Sequence, residues 1–453
     1  MKKACWLRLS TTQTIMLGFF LATIIGSILL ALPISAANGE SVPYIDALFT
    51  ATTSICVTGL VTVPTVSTWS IFGQAVILFL IQIGGLGIVT IMTGLMISLH
   101  RRIGIGNRML IQDAFNLNTL SGLVQFIQKV LIGTFVVEGI GALFYMFVFV
   151  PEYGAKGIWI SIFNSVSAFC NAGIDIIAED SLCAYAVHPL MNIVTCMLII
   201  LGGIGYVVWW DVIRVMKNIK RQKLKCFQSL TLHSKMALSM TGFLIVTGAV
   251  AFLILEYNNP LTMESYSLPD KIQLSFFQSI TTRTAGFATI PQQHLTNASA
   301  MISLLLMFIG GSPVGTAGGI KTVTIAVLIV SAFSTIRNKE EVVFFKRTIS
   351  KKAISKAVAV TSISFIIMFV STVLLAAVTN ADALDIVYET VSATATVGLT
   401  RNLTPMLNVW GKIIIIITMY LGRVGPISLV IAFGTKREKS NIIKNPIEEI
   451  SIG

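Results

Sequence analysis

The sequence predicts an all-α integral membrane protein of four membrane–pore–membrane repeats, eight transmembrane helices arranged pseudo-fourfold around a central pore. Three observations lead there. The composition is strongly apolar, a glycine-centred segment recurs four times at nearly constant spacing, and basic residues gather in alternate segments between apolar runs.

Of 453 residues, 55% are hydrophobic and only 11% charged, with a mean hydropathy of +0.84. Such a chain is solvated by lipid. Apolar stretches long enough to cross a bilayer, or nearly so, recur at 15–33, 69–99, 130–150, 191–208, 236–255, 301–309, 358–378 and 413–421. The net charge of +12 could suggest nucleic acid. Its distribution argues otherwise. With the N-terminus inside, segments 1–10, 100–129, 214–235, 336–356 and 435–453 hold about 25 of the 32 Lys and Arg. The opposite loops carry most of the acids, among them Glu40, Asp46, Glu152, Asp175, Glu256, Asp270, Asp385 and Glu389. Both termini are therefore expected in the cytoplasm, with a weakly cation-concentrating outer face. The six cysteines show no metal-ligand spacing and read as small apolar fillers. The first 40 residues imitate a signal peptide, but cleavage there would remove the incoming span of the first repeat.

Four segments align without gaps: FTATTSICVTGL at 49–60, FNSVSAFCNAGI at 163–174, FFQSITTRTAGF at 276–287 and YETVSATATVGL at 388–399. One column is Gly59, Gly173, Gly286 and Gly398, at separations of 114, 113 and 112 residues. Ten positions earlier stand Phe49, Phe163, Phe276 and Tyr388. Each segment is too short and too rich in Ser and Thr to span a membrane, and reads as a half-helix followed by an extended, re-entrant strand. Non-helical backbone at membrane depth belongs where it is buried or lines a water-filled path, and four such loops on one axis give a ring of carbonyls. Glycine suits the column because it brings no Cβ toward the axis. The expected filter comprises Val57, Thr58 and Gly59; Asn171, Ala172 and Gly173; Thr284, Ala285 and Gly286; and Thr396, Val397 and Gly398. Small residues also let membrane helices pack closely, which would explain one such loop better than four in register.

The predicted repeats span 11–99, 126–216, 235–335 and 355–434, with a cytoplasmic tail at 435–453. A second aligned column lies in the outgoing spans: IGGLG at 83–87, LGGIG at 201–205, IGGSP at 309–313 and LGRVG at 421–425. In the third repeat the run GGSPVGTAGGIKT interrupts the helix. The loop Gly310, Gly311, Ser312, Pro313, Val314, Gly315, Thr316, Ala317, Gly318 and Gly319 reads either as a movable obstruction or as a packing kink. Lys321 closes it, and either snorkels to the inner interface or repels cations. In the fourth repeat Arg423 replaces the glycine of the other three. An intramembrane arginine is a candidate functional residue, as a fixed positive charge on the cation path or as a tie between loop carbonyls.

Arg283 is expected to brace the pore loop through carbonyls or an acid such as Glu389, and Glu138 to hydrogen-bond within the bundle. The four histidines fall at loop or interface positions, with no metal cluster. A coupled transporter with alternating access would show intramembrane carboxylates and inverted or paired repeats. A membrane enzyme would show a recurring nucleophile, base or metal set.

The single-glycine loops CVTGL, CNAGI, TRTAGF and TVGL, the GGSPVGTAGGIKT insert and the lone Arg423 together resemble the KtrB-type membrane subunits of Ktr potassium uptake systems, in the Trk/Ktr/HKT superfamily. The resemblance covers essentially the whole chain. It implies a potassium filter at the four glycines, an intramembrane gating loop at 310–319 with Lys321 and Arg423 beside it, and no enzymatic activity. It also implies a homodimer in a bacterial cell membrane with one pore per subunit, controlled by a cytoplasmic ring of nucleotide-binding RCK subunits. The chain has no GxGxxG motif of its own, so ATP, ADP or an NAD-type nucleotide would bind that partner. All four glycines are present, which favours potassium over sodium; the flanking Val57, Asn171, Thr284 and Thr396 are only broadly family-like.

Overall fold

The computed structural model describes residues 11–99, 104–114, 122–217, 227–339 and 341–425. The expected tail at 435–453, together with Cys5, Cys226, His100 and parts of the basic segments, lies outside these residues. Each repeat opens with one long apolar helix: Thr11–Leu30, Leu123–Tyr153, Leu232–Glu256 and Lys351–Val378. At about 1.5 Å per residue each can cross a hydrocarbon core about 30 Å thick. Their outward faces expose Phe20, Phe147, Phe243 and Phe369, as lipid-facing helices do.

Four shorter helices, Tyr44–Cys56, Ala155–Cys170, Leu268–Thr281 and Ala383–Ala395, run through the middle of the bundle and are buried over most of their length. Their Ser and Thr content is compatible with burial because the hydroxyls return to carbonyls one turn back. Thr52 donates to Leu48, Ser161 to Gly157, Ser275 to Lys271 and Thr394 to Thr390. These four hydroxyls then need no water.

The outgoing helices start alike: Ser70, His188, Thr296 and Asn408 each accept the backbone N–H three residues on. The sequence suggests an interruption in the third outgoing span alone. The first two break as well. Ile71–Leu86 meets Ile88–Ser98 at 98°, and Pro189–Gly203 meets Tyr206–Lys217 at 100°. The cause is the last glycine of the second column, Gly87 at φ +83° and Gly205 at φ +91°, a backbone region closed to most side chains. Gly425 at φ +90° ends the fourth helix, Val409–Val424, in the same way. The third repeat has Pro313 at this position and breaks most widely, its chain leaving the helix Asn297–Phe308 and resuming at Thr322–Ile336. A two-residue hairpin, Val343–Phe344 against Arg347–Thr348, precedes the fourth repeat.

Candidate ion pathway

The four pore helices end where the glycine loops begin, and the chain turns there by an unusual backbone. Val57, Asn171, Thr284 and Thr396 have φ of +56°, +60°, +69° and +51°. Three of these are β-branched, for which left-handed backbone is an outlier costing about 1–3 kcal/mol. Two residues on, Gly59, Gly173, Gly286 and Gly398 also have positive φ, from +63° to +100°. These glycines face one another in order. A Cβ on Gly59 would lie 2.5 Å from the Ala172 carbonyl oxygen, one on Gly173 2.6 Å from that of Ala285, and one on Gly286 2.5 Å from that of Val397. One on Gly398 would strike the Thr58 carbonyl. Each glycine thus abuts the carbonyl preceding the next glycine, and the four loops close into a ring.

A hydroxyl behind each glycine holds the ring, and the sequence reading did not single these residues out. Thr53 accepts the Gly59 N–H at 3.0 Å and Ser392 that of Gly398 at 3.1 Å. Ser167 accepts the Ile174 N–H at 3.2 Å and donates to the same residue's carbonyl. In the third repeat Ile280 occupies this column and its neighbour Thr281 donates to the Phe287 carbonyl at 2.6 Å. The Thr, Ser and Ser six places before three of the glycines were the available signal.

The second glycine column sets how closely the outgoing helices approach. A Cβ on Gly84, Gly202 or Gly422 would run into the carbonyl of Ile55, Phe169 or Thr394 respectively, each four residues before its ring glycine. In the third repeat Gly310 abuts Gly318 instead, because the chain has left the helix.

The 310–319 loop is bonded throughout. Ile309 and Ile320 form a parallel bridge at its neck. Ser312 and Thr316 donate backbone N–H groups to Gly203 and Gly202 at 2.8 and 3.1 Å, and Val314 accepts that of Tyr206 at 2.9 Å. The Thr316 hydroxyl donates to the Phe169 carbonyl, and the Thr284 hydroxyl accepts the Gly318 N–H at 3.1 Å, tying the loop to two pore-loop segments. Lys321 folds back onto the Ala317 carbonyl at 2.6 Å. Arg423 donates to the Thr316 carbonyl at 2.8 Å and to the Gly84 carbonyl. This geometry is the carbonyl tie. Lys321 and Arg423, with Gly84, Gly318 and Thr394, line a cavity of about 320 Å³ beside the C-terminal end of the fourth pore helix.

Arg283 faces the Gly310 carbonyl and the Thr241 hydroxyl at 3.5 and 3.4 Å, not Glu389. Glu138 accepts from Gln82 at 3.1 and 3.2 Å, a bond within the bundle. On the pore-loop face, the second repeat's loop straps the third: Ser181 accepts the Ala288 N–H, and Leu182 donates to the Ala288 carbonyl at 2.9 Å. Beneath the strap, Asp175 is nearly enclosed, and burial pushes its carboxyl up to about 6 against the pull of Ser181 and two backbone N–H groups. A ring of carbonyls with the negative ends of four helices aimed at it favours a desolvated cation.

Residues 7–445 match the family described as TrkH, cation transport protein. The chain belongs to this family. Ktr system potassium uptake protein B of Bacillus subtilis (strain 168) is 41% identical over 449 residues, covering 99% of this chain and 98% of that protein. Potassium/sodium uptake protein NtpJ of Enterococcus hirae is 38% identical, covering 100% of this chain and 99% of that protein. The solved structure of the potassium transporter TrkH from Vibrio parahaemolyticus shares the fold, with a TM-score of 0.75 at 15% identity, over 95% of this chain and 86% of that one. The family is one of membrane cation transporters, not enzymes, and the four-repeat architecture read from the sequence is its fold.

Proposed function

We propose that the chain takes up potassium across a bacterial cell membrane through a channel-like pore whose selectivity filter is the ring of Gly59, Gly173, Gly286 and Gly398 with the two residues before each. The observation that carries this reading is the closure of the ring, each glycine against the carbonyl of the next loop. Backbone carbonyls can replace the hydration shell of a cation, and strained, hydroxyl-braced loops keep them in place. The pore-loop face is then extracellular and both termini cytoplasmic, as the basic segments suggest.

The 310–319 loop, with Lys321 and Arg423, is the gate in this reading. Relatives named as one component of a Ktr system support a multi-subunit assembly: a homodimer of this chain on a cytoplasmic RCK ring that binds the regulatory nucleotide. A second reading, sodium-coupled uptake, draws on the relative named for both potassium and sodium. Potassium and rubidium uptake into proteoliposomes separates the two. Channel-like uptake follows the potassium gradient and membrane potential with no sodium present; uptake that requires a sodium gradient favours coupling.

A further inference from the structure

Glu389 lies on the fourth pore helix, nine residues before Gly398, and is fully buried. Its Oε2 accepts from the Thr400 hydroxyl at 2.7 Å and its Oε1 from the Thr404 hydroxyl. The Thr400 oxygen already accepts the N–H groups of Leu403 and Thr404, at 3.1 and 3.4 Å, so its one proton is directed at the carboxylate. One turn earlier, Asp385 takes the nearby cation, Arg401, at 2.7 Å. Among the described residues no Lys or Arg pairs with Glu389. The corresponding positions of the other pore helices are Thr50, Asn164 and Phe277, all uncharged.

One quadrant of the ring is therefore backed by a buried carboxylate that no described Lys or Arg neutralises. An unpaired buried carboxyl takes up a proton unless a positive charge complements it, and a cation in the ring is placed to supply that charge. We propose that Glu389 is the fixed counter-charge of the cation in the ring, setting its affinity, while Thr400 and Thr404 hold the carboxylate in place. The inference rests on the filter reading above. Nine residues of helix and loop put the charge on the order of 12 Å from the ring. At an effective dielectric of about 20, losing a unit charge at that distance weakens cation occupancy about tenfold.

The test is uptake into proteoliposomes by Glu389→Gln, Glu389→Asp and the double variant Thr400→Val/Thr404→Val, with thermal melting and size-exclusion to check folding. Glu389→Gln raises the half-saturating potassium concentration about tenfold at an unchanged potassium-to-sodium ratio, and Glu389→Asp restores most of the affinity. An unchanged half-saturation in folded Glu389→Gln overturns the proposal. So does an equal loss of selectivity in Glu389→Gln and the threonine double variant, which would make the carboxylate a brace only. If Glu389→Gln does not fold, the charge-retaining Glu389→Asp decides: near-native affinity supports the counter-charge, and an affinity as poor as the threonine double variant's overturns it. Gly286→Ser measured alongside separates the two readings. If it alters selectivity while Glu389→Gln alters nothing, only this inference fails; if it leaves selectivity intact, the filter reading fails first.

Discussion

Arg423 donates to the carbonyl of Thr316 at 2.8 Å, so a side chain of the fourth repeat holds the middle of the loop that interrupts the third. The same guanidinium reaches the Gly84 carbonyl of the first repeat. Arg423→Ala leaves both carbonyls without this partner and removes a positive charge from the cavity that Arg423 lines with Gly84. Deleting residues 310–319 removes the loop itself. Either change is expected to raise potassium flux at equal surface abundance. The double variant conducts little more than the better single one, because a barrier already removed cannot be removed again. Lower flux in both single variants would mean that these residues hold the path open.

Two glycine positions of the outgoing-span motif differ in what a methyl group meets, and so in what it costs. At Gly202 a Cβ strikes the Phe169 carbonyl and lies 2.7 Å from the Thr316 hydroxyl, whereas at Gly87 nothing lies within 4 Å. Gly202→Ala is expected to cost about 3 kcal/mol and to lower the melting temperature sharply. Gly87→Ala, limited to the strain of positive φ, costs about 1–2 kcal/mol. Melting temperatures in detergent compare them, and equal losses would contradict the packing account.

Much of this architecture was legible in the primary structure. Gly59, Gly173, Gly286 and Gly398 are visible as a ring because their spacing is nearly constant and the bilayer forbids free backbone. The bends at Gly87 and Gly205 were not legible, because a glycine inside an apolar run looks the same whether it packs or turns; only φ separates the roles. The hydroxyls of Thr53, Ser167 and Ser392 were hidden by the abundance of Ser and Thr around them. Glu389 was read as a possible mate for Arg283, since charge suggests a partner sooner than two threonines 11 and 15 residues further along the chain do.

Asp175 gives a pH signature with a definite sign. Burial raises its carboxyl from 3.8 to about 6, so the folded protein retains a proton that the unfolded chain releases between about pH 4 and 6. The group's contribution to stability is fully present below about pH 4 and is lost as pH rises through 6. Asp175→Asn escapes that loss. Its melting temperature should exceed that of the parent most above pH 6, with the gap closing toward pH 4. A gap that widens on acidification would contradict the enclosed environment assigned to this carboxyl.

The central claim, that the ring of four glycines selects the ion, is tested most directly by the potassium-to-sodium permeability ratio of Gly286→Ser beside the parent in proteoliposomes. A Cβ at Gly286 would lie 2.5 Å from the Val397 carbonyl oxygen and 3.0 Å from the Gly173 Cα, so the ring must distort to admit it. The predicted result is a parent that prefers potassium and a folded variant in which that preference is largely lost. An unchanged ratio in a variant that melts and elutes like the parent would contradict the account.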